Sequence, residues 1–304
     1  MTHTVPRAYV PLLMAGQVAV IDLASHSVVD TIGVGSSPFG VAVAPAGDLV
    51  YVANFHDGTL SVLDAATGVV TSTLPVGSGP GGVAVAPDGA RVYVTNYRSD
   101  EVSVVDTGRR AVTRTIRVGR NPGNPAVSPD GRRVYVTNYE GGDLSVIDTA
   151  TDTVIATVPV GGHPNGVTVA PDGARVYVTD ADRARGAVPV VDARACAVVG
   201  TLATDPGPFG IVLAPDGRRC YVSGYYTGSV VALGTTAPAP PPVRIAVGDN
   251  PENLAVSPDG RSVLVTNRES DSVSVIDTAT DTVTATIALA GNPGGIAVGD
   301  VRPR

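Results

Sequence analysis

Residues 80–119 read PGGVAVAPDGARVYVTNYRSDEVSVVDTGRRAVTRTIRVG, and this stretch holds four short segments rich in β-branched residues. The four segments are Val83–Ala86, Val92–Thr95, Val102–Val105 and Val112–Val118. Such segments are typical of β-strands. The turn residues Pro87–Gly89 and Asp106–Gly108 lie between them. The stretch therefore predicts four consecutive antiparallel strands.

The same unit recurs along the chain, each time opened by a proline. The opening prolines are Pro38, Pro80, Pro122, Pro164, Pro208, Pro251 and Pro293, with spacings of 42, 42, 42, 44, 43 and 42 residues. A period of about 40–50 residues is typical of four-stranded propeller blades. The sequence thus predicts an all-β, seven-bladed β-propeller that forms a single domain over residues 1–304. Blades are numbered here in the order of these prolines, and strands A to D run outward from the central axis.

The two ends of the chain are predicted to share the seventh blade. Only one apolar strand follows Pro293, whereas Tyr9 and Asp22 lie 13 residues apart, as Tyr93 and Asp106 do in the second blade. We therefore expect this blade to consist of residues near 7–34 and 293–298, with the C-terminal strand innermost. Pairing the ends removes the open sheet edges. Because residues 1–20 are predicted to form blade strands rather than a secretory signal, we expect a cytoplasmic protein.

The repeat also resembles a known family. YVTN occurs at 93–96 and 135–138, and SVIDTATDTV at 145–154 and 274–283. These motifs resemble the YVTN family of β-propeller repeats over essentially the whole chain, although other blades read YVAN, YVTD, YVSG or LVTN. The resemblance implies the propeller fold. Many members of that family resemble cell-surface or exported proteins, which implies binding roles.

Composition excludes several classes of function. A net charge of −7 provides no positive field for nucleic acid, and no apolar run approaches the ~18 residues of a membrane helix. All 21 basic residues are arginine, so Schiff-base chemistry on lysine is excluded. The two cysteines do not form a disulfide framework or a zinc site, and the histidines do not cluster at metal-ligand spacing. We expect no metal and no cofactor.

Unusual residues collect on one face of the predicted disc. The D-to-A and B-to-C connections share this face, called the BC face, whereas the opposite face repeats PDG turns. An apolar concavity with a few polar groups is the usual form of a small-molecule site, and the channel mouth provides one. The predicted ligand-binding residues of the BC face are Phe39, Phe55, His56, Tyr97, Arg98, Tyr139, His163, Asn165, Phe209, Arg268 and Met14. They predict a small organic ligand with apolar and oxygenated parts.

Four residues are the candidates for catalysis. Glu252 follows a blade-opening proline, where most blades have a small or apolar residue, and Glu140 lies farther out. A desolvated carboxylate has a raised pKa that suits proton transfer near neutral pH. Tyr225 and Tyr226 are candidates for hydrogen-bond donors to a developing oxyanion.

Each assignment has a structural alternative. Tyr97 and Tyr139 shield the top of the ring in that alternative, while Phe39 and Phe209 close the channel. Glu252 is then a solvated loop carboxylate. The segment 180–186 is two residues longer than its equivalents and is either a solvated, salt-bridged loop or a lid.

Two classes of function follow. The first is a cofactor-independent biosynthetic enzyme, a cyclase, isomerase or lyase, that acts on a small substrate at the channel mouth. The second is a non-catalytic propeller scaffold that binds a protein or a glycan. The aromatic BC face favours the enzyme, and the sequence does not indicate an oligomeric state.

Overall fold

The computed structural model describes residues 4–302, and these form 28 β-strands in seven four-stranded antiparallel sheets. The predicted all-β, seven-bladed propeller is confirmed. The described residues include no helix, and hence none long and apolar enough to cross a membrane.

The strands of the first half of the chain have the following bounds. The N-terminal strands of the seventh blade are β1 (Val5–Leu12), β2 (Gln17–Asp22) and β3 (Ser27–Gly33). The first blade contains β4 (Pro38–Val43), β5 (Leu49–Asn54), β6 (Thr59–Asp64) and β7 (Val69–Pro75). The second contains β8 (Pro80–Val85), β9 (Arg91–Asn96), β10 (Glu101–Asp106) and β11 (Ala111–Arg117). The third contains β12 (Pro122–Val127), β13 (Arg133–Asn138), β14 (Asp143–Asp148) and β15 (Thr153–Pro159).

The remaining blades follow the same order. The fourth contains β16 (Pro164–Val169), β17 (Arg175–Asp180), β18 (Ala187–Asp192) and β19 (Ala197–Ala203). The fifth contains β20 (Pro208–Leu213), β21 (Arg219–Gly224), β22 (Ser229–Gly234) and β23 (Val243–Ala246). The sixth contains β24 (Pro251–Val256), β25 (Ser262–Asn267), β26 (Ser272–Asp277) and β27 (Thr282–Ala288). The last strand, β28 (Ala297–Val301), returns to the seventh blade.

The ring closes through the two ends of the chain, as predicted. The seventh blade has the order β28-β1-β2-β3, and Val5 pairs with Val301. The predicted bounds of its inner strand were wrong, because this strand covers Ala297–Val301 rather than 293–298. The backbone N–H of Gly294 donates to Pro11, and that of Gly295 donates to Phe39 of the first blade. Pro293 also pairs with Leu12 in an isolated bridge, so residues 294–296 interrupt the ladder between this bridge and β28.

Buried tyrosines fill the gaps between neighbouring blades. The tyrosines at the repeated strand-B position are all at most 5% exposed: Tyr9, Tyr51, Tyr93, Tyr135, Tyr177 and Tyr221. Tyr93, for example, packs with Val134, Val136 and Ile147 of the next blade. Burying such large side chains against the neighbouring sheet stabilises the ring. The prediction that these tyrosines form the core is confirmed.

Hydroxyl groups near the axis connect successive blades. In five blades a strand-B hydroxyl accepts a backbone N–H of its own inner strand and donates to a carbonyl of the next blade. The donor bonds run from Thr95 to Gly123 (2.6 Å), Thr137 to Asn165 (2.8 Å), Thr179 to Phe209 (2.6 Å), Ser223 to Glu252 (2.7 Å) and Thr266 to Gly294 (2.8 Å). The residue after the opening proline is thereby fixed at the axis in five of the seven blades.

The asparagine that ends strand B has a structural role. In the second blade, the side-chain oxygen of Asn96 accepts the Gly77 N–H at 3.1 Å, and its amide nitrogen donates to Ser103 at 2.9 Å. A Cβ on Gly77 would lie 2.4 Å from Asn96, so this close approach requires glycine. The repeated asparagine therefore stabilises the blade.

Candidate functional site

The mouth of the channel on the BC face is an apolar cavity of about 550 Å³. Its wall consists of residues from blade openings and B-to-C loops: Leu13, Met14, Ser37, Phe39, Phe55, His56, Gly81, Gly82, Tyr97, Pro122, Gly123, Asn124, Tyr139, Asn165, Phe209, Glu252 and Arg268. The volume falls in the range of about 300–1,000 Å³ that is usual for ligand pockets. Ten of the predicted site residues thus meet around one cavity.

Aromatic side chains supply much of the apolar surface. Phe39 and Phe209 stand next to opening prolines, and glycines at the corresponding positions in the second and third blades, Gly81 and Gly123, leave space between them. The Phe55 and Tyr97 rings are 6.4 Å apart, centroid to centroid. A flat or elongated apolar molecule fits such a wall.

Glu252 is the buried acid of this cavity. Its side chain is 1% exposed, Oε1 lies 3.4 Å from Nη1 of Arg268, and the buried Oε2 has no hydrogen-bond partner. Burial raises the pKa of Glu252 to about 7, and the Arg268 charge lowers it by less than burial raises it. The interpretation of Glu252 as a solvated loop carboxylate is wrong, because the side chain is buried and the residue belongs to strand β24.

Arg268 is held in place beside this acid. Its Nε donates to the side-chain oxygen of Asn292 at 2.7 Å, and the amide nitrogen of Asn292 donates back to the Arg268 carbonyl at 3.2 Å. The guanidinium is therefore oriented by Asn292, while its Nη1 faces Glu252 at the longer distance of 3.4 Å. This arrangement provides a cation that moderates the pKa of Glu252 without a short ion pair.

Five of the predicted site residues lie outside the cavity wall. Glu140 is exposed on the BC face, and its backbone carbonyl accepts a bond from Arg120. His163 packs against Tyr139, with ring centroids 5.0 Å apart, and Arg98 lies 4.7 Å above the Phe55 ring. The structure places these three around the cavity rather than in it.

The two adjacent tyrosines of the fifth blade form a second layer. The Tyr225 ring lies 5.2 Å from Phe209, and Tyr226 lies 5.0 Å from Tyr225. Burial raises the pKa of Tyr225, and the nearby Glu252 charge raises it further. Tyr226 is 50% exposed and stacks with Arg183 of the longer fourth-blade loop, at 4.2 Å. Tyr225 supports the ring of Phe209 from behind.

Sequence reasoning missed Ser37 on the cavity wall. Its Oγ lies 2.7 Å from Nδ1 of His56, and its backbone has a φ of 51°. Five other blades have glycine or asparagine directly before the opening proline, at Gly79, Asn121, Gly207, Asn250 and Asn292. A serine at a position with positive φ, where glycine and asparagine are favoured, could therefore have identified Ser37 as an unusual residue from the sequence. Asn121 and Asn292 likewise bond to their B-to-C loops, so this serine and histidine fix the turn against the loop.

The described part of the chain contains no group of three or more histidine, cysteine, aspartate or glutamate side chains that could hold a metal ion. Both cysteines are free thiols. Within the cavity wall, His56 is the one imidazole and Arg268 the one guanidinium.

Comparison with known proteins supports the fold. The family model for the cytochrome D1 heme domain matches residues 77–177, about a third of the chain. The chain is similar to hydrazine synthase of Kuenenia stuttgartiensis, with 24% identity over 86% of this chain and 89% of that one and a TM-score of 0.79. No curated protein matches it.

Other solved propellers align over nearly the full length. A functionally unknown protein of Desulfotomaculum acetoxidans DSM 771 gives a TM-score of 0.86 at 14% identity, covering 98% of this chain and 99% of that one. A putative 6-phosphogluconolactonase of Bacteroides uniformis ATCC 8492 gives 0.80 at 18%, covering 97% and 99%. Dihydro-heme d1 dehydrogenase NirN gives 0.70 at 16%, covering 95% of this chain and 74% of that one. Together these likenesses place the chain among β-propellers.

Proposed function

We propose that this propeller is a cofactor-independent enzyme, a cyclase, isomerase or lyase, that moves a proton on a largely apolar, oxygenated small molecule bound at the channel mouth. The observation that carries the proposal is Glu252, a buried carboxyl group with an unpartnered oxygen and a pKa of about 7 in an aromatic cavity. Proton-transfer groups work best when their pKa lies near the working pH. We further propose YVTN-family membership and a cytoplasmic location for the enzyme.

Glu252 acts as the base in its ionised form and as the acid once it has taken the proton. The aromatic wall excludes water and orients the substrate, which raises the effective concentration of the reacting groups. Arg268 stabilises the carboxylate enough for about half of the molecules to be ionised at a pH near 7. Tyr225 keeps the Phe209 ring in position.

The family match raises the question of a heme. Iron could bind the free Nε2 of His56, whose Nδ1 faces Ser37. The acidic side groups of a heme need cations, and Arg268, the one cation of the wall, is already engaged by Asn292 and Glu252. The Glu252 carboxylate would also repel the acidic side groups of a heme. The cavity residues therefore do not fit a heme, and no step of the proposal uses one.

A non-catalytic scaffold is the second candidate. It is favoured by exposed apolar groups on the same face, because Met14 is 82% and Tyr226 is 50% exposed. Such groups suit a protein or glycan surface. This alternative assigns no functional role to Glu252 and predicts that the intact protein has no catalytic activity.

The test uses 5-nitrobenzisoxazole, a flat bicycle from which a base removes the ring C–H proton while the N–O bond breaks and a coloured nitrophenolate is released. We expect the protein to accelerate this reaction above the buffer rate, and Glu252→Gln to reduce the acceleration by roughly 10²-fold. Glu101→Gln, on strand β10 and outside the cavity, serves as the control. No acceleration by the wild type, or equal rates for wild type and Glu252→Gln, would contradict the proposal. The rate of Glu140→Gln tests whether Glu140, the second carboxylate proposed from the sequence, contributes to proton transfer.

A further inference from the structure

Asn165 has one amide nitrogen that no group of the protein binds. The residue lines the cavity and is 7% exposed, and its Nδ2 is buried without a hydrogen-bond partner. Leaving a buried donor unpaired costs about 1–3 kcal/mol. A ligand in this cavity that places a hydrogen-bond acceptor next to this amide would therefore give the donor its missing partner.

The orientation of this amide is fixed by its neighbour. Nδ2 of Asn124 donates to the Asn165 backbone carbonyl at 3.2 Å and to the Asn165 side-chain oxygen at 3.1 Å. A backbone carbonyl can only accept, so the Asn124 amide must present its nitrogen here. The side-chain group of Asn165 that meets this nitrogen must be its oxygen. The donor end of Asn165 is consequently the end left free.

Asn165 and Glu252 flank the same aromatic ring. Both follow an opening proline, as does Phe209 between them, and these three positions belong to the consecutive fourth, fifth and sixth blades. Hydroxyls of Thr137, Thr179 and Ser223 hold the three backbone carbonyls at the axis. A molecule lying on Phe209 thus meets a neutral donor on one side and a carboxyl group on the other.

We infer that the substrate is an enolisable aldehyde or ketone, whose carbonyl oxygen accepts a hydrogen bond from Nδ2 of Asn165. This inference rests on the proposed function of Glu252 and names its substrate class. The free group is one uncharged amide NH2, and the Arg268 guanidinium is engaged, which favours a neutral oxygen over a carboxylate or phosphate.

The step balances without a further reactant. The Glu252 carboxylate takes a proton from the carbon next to the carbonyl, the C–H electron pair forms a carbon–carbon double bond, and the carbonyl π pair moves to oxygen. Asn165 stabilises the negative oxygen through its N–H. Where the substrate has a carbon–carbon double bond between its β- and γ-carbons, protonated Glu252 returns the proton to the γ-carbon while the oxygen pair re-forms the carbonyl, and the double bond has moved to the α,β position. Where the substrate carries a leaving group on the β-carbon, its departure with the electron pair gives elimination.

The test compares two probes that differ in the carbonyl group, acetophenone and ethylbenzene, by isothermal titration calorimetry. We expect Asn165→Leu to weaken acetophenone binding about 3- to 10-fold, the effect of one hydrogen bond, and to change ethylbenzene binding by less than about twofold. Asn165→Asp retains the oxygen that faces Asn124 and loses the donor, so it should show the same selective loss. Asn253→Leu is the control, because Asn253 lies deeper in the channel and outside the cavity wall.

The outcomes separate this inference from the proposed function. Equal weakening of both probes, or no change in either, in both Asn165 variants would overturn the carbonyl assignment while leaving Glu252 catalysis intact. Unchanged turnover of 5-nitrobenzisoxazole in Glu252→Gln would overturn the proposed function without altering probe selectivity. Failure of the wild type to bind acetophenone would overturn the carbonyl assignment, whatever the turnover of 5-nitrobenzisoxazole.

Discussion

Oε1 of Glu252 lies 3.4 Å from Nη1 of Arg268, and the pKa of Glu252 is nevertheless raised to about 7. Removing the carboxylate from water costs more free energy than the attraction of the guanidinium provides at this long distance. A shorter, two-pronged pair would hold the carboxyl group ionised well below neutral pH. The geometry of Asn292, which accepts the Arg268 Nε–H at 2.7 Å, keeps the cation at the longer distance.

The first prediction concerns the pH dependence of stability. The pKa of Glu252 rises from 4.5 when unfolded to about 7 when folded, so its protonated form is favoured in the folded state. Its contribution is fully present below pH 4.5, declines as the pH rises and is lost above about 7. Relative to Glu252→Gln, we expect the wild type to lose roughly 2–5 kcal/mol of unfolding free energy across that window. Urea unfolding of both proteins at pH 5 and pH 8 measures this difference, and parallel losses would contradict the assignment.

The second prediction concerns the pH dependence of catalysis. Base catalysis by Glu252 should increase with pH through a midpoint near 7, following ionisation of the carboxyl group. Because Arg268 lowers the pKa of Glu252, Arg268→Met should move the midpoint to higher pH. The measurement is the rate of 5-nitrobenzisoxazole elimination between pH 5 and 9, corrected for the buffer reaction. A midpoint that stays in place would show that Arg268 does not act on the catalytic group.

The third prediction concerns the hydroxyls that join the blades. Thr137→Val removes the acceptor of the Asn124 N–H, which is left without a partner, and removes the donor to the Asn165 carbonyl, which keeps only its bond from the Asn124 side chain. We expect a loss of about 1–3 kcal/mol in unfolding free energy. Thr286→Val, on the exposed outer strand β27, is the matched control and should change stability by less than about 0.5 kcal/mol. Equal effects of the two substitutions in urea unfolding would contradict a special role for the axial hydroxyls.

The propeller was predictable from sequence because its determinants are local and repeated. Each opening proline and each strand-B tyrosine occurs at a regular spacing, and the structure uses them at equivalent positions in successive blades. The end of the inner strand of the seventh blade was missed because the other inner strands end five residues after their opening proline, whereas β28 continues to Val301, which pairs with Val5.

The candidate site was predictable in position but not in its internal contacts. Glu252 stood out because most blades carry a small or apolar residue there, and Asn165 was one of the other blade-opening residues named for the site. Their chemistry depends on which of their polar atoms form hydrogen bonds within the protein. Asn124 binds the side-chain oxygen of Asn165, and Asn292 orients the Arg268 side chain beside Glu252, and both come from other parts of the chain. Tyr225 and Tyr226 looked equivalent in sequence, yet one packs on Phe209 and the other faces solvent, because successive residues of a loop point in different directions.

The last prediction separates the cavity wall from its surroundings. Phe209 lines the cavity between Asn165 and Glu252, so Phe209→Ala should remove apolar contact from any bound aromatic molecule. Losing this contact should cost about 1–3 kcal/mol of binding free energy, which is roughly a 5- to 150-fold weaker Kd for ethylbenzene. Tyr226→Ala should change that Kd by only about twofold, because Tyr226 is 50% exposed and stacks with Arg183 outside the wall. Isothermal titration calorimetry of both variants, with their melting temperatures as a check on folding, measures the contrast. A larger loss in Tyr226→Ala than in Phe209→Ala would place the ligand on the outer surface of the BC face, where the scaffold alternative requires it.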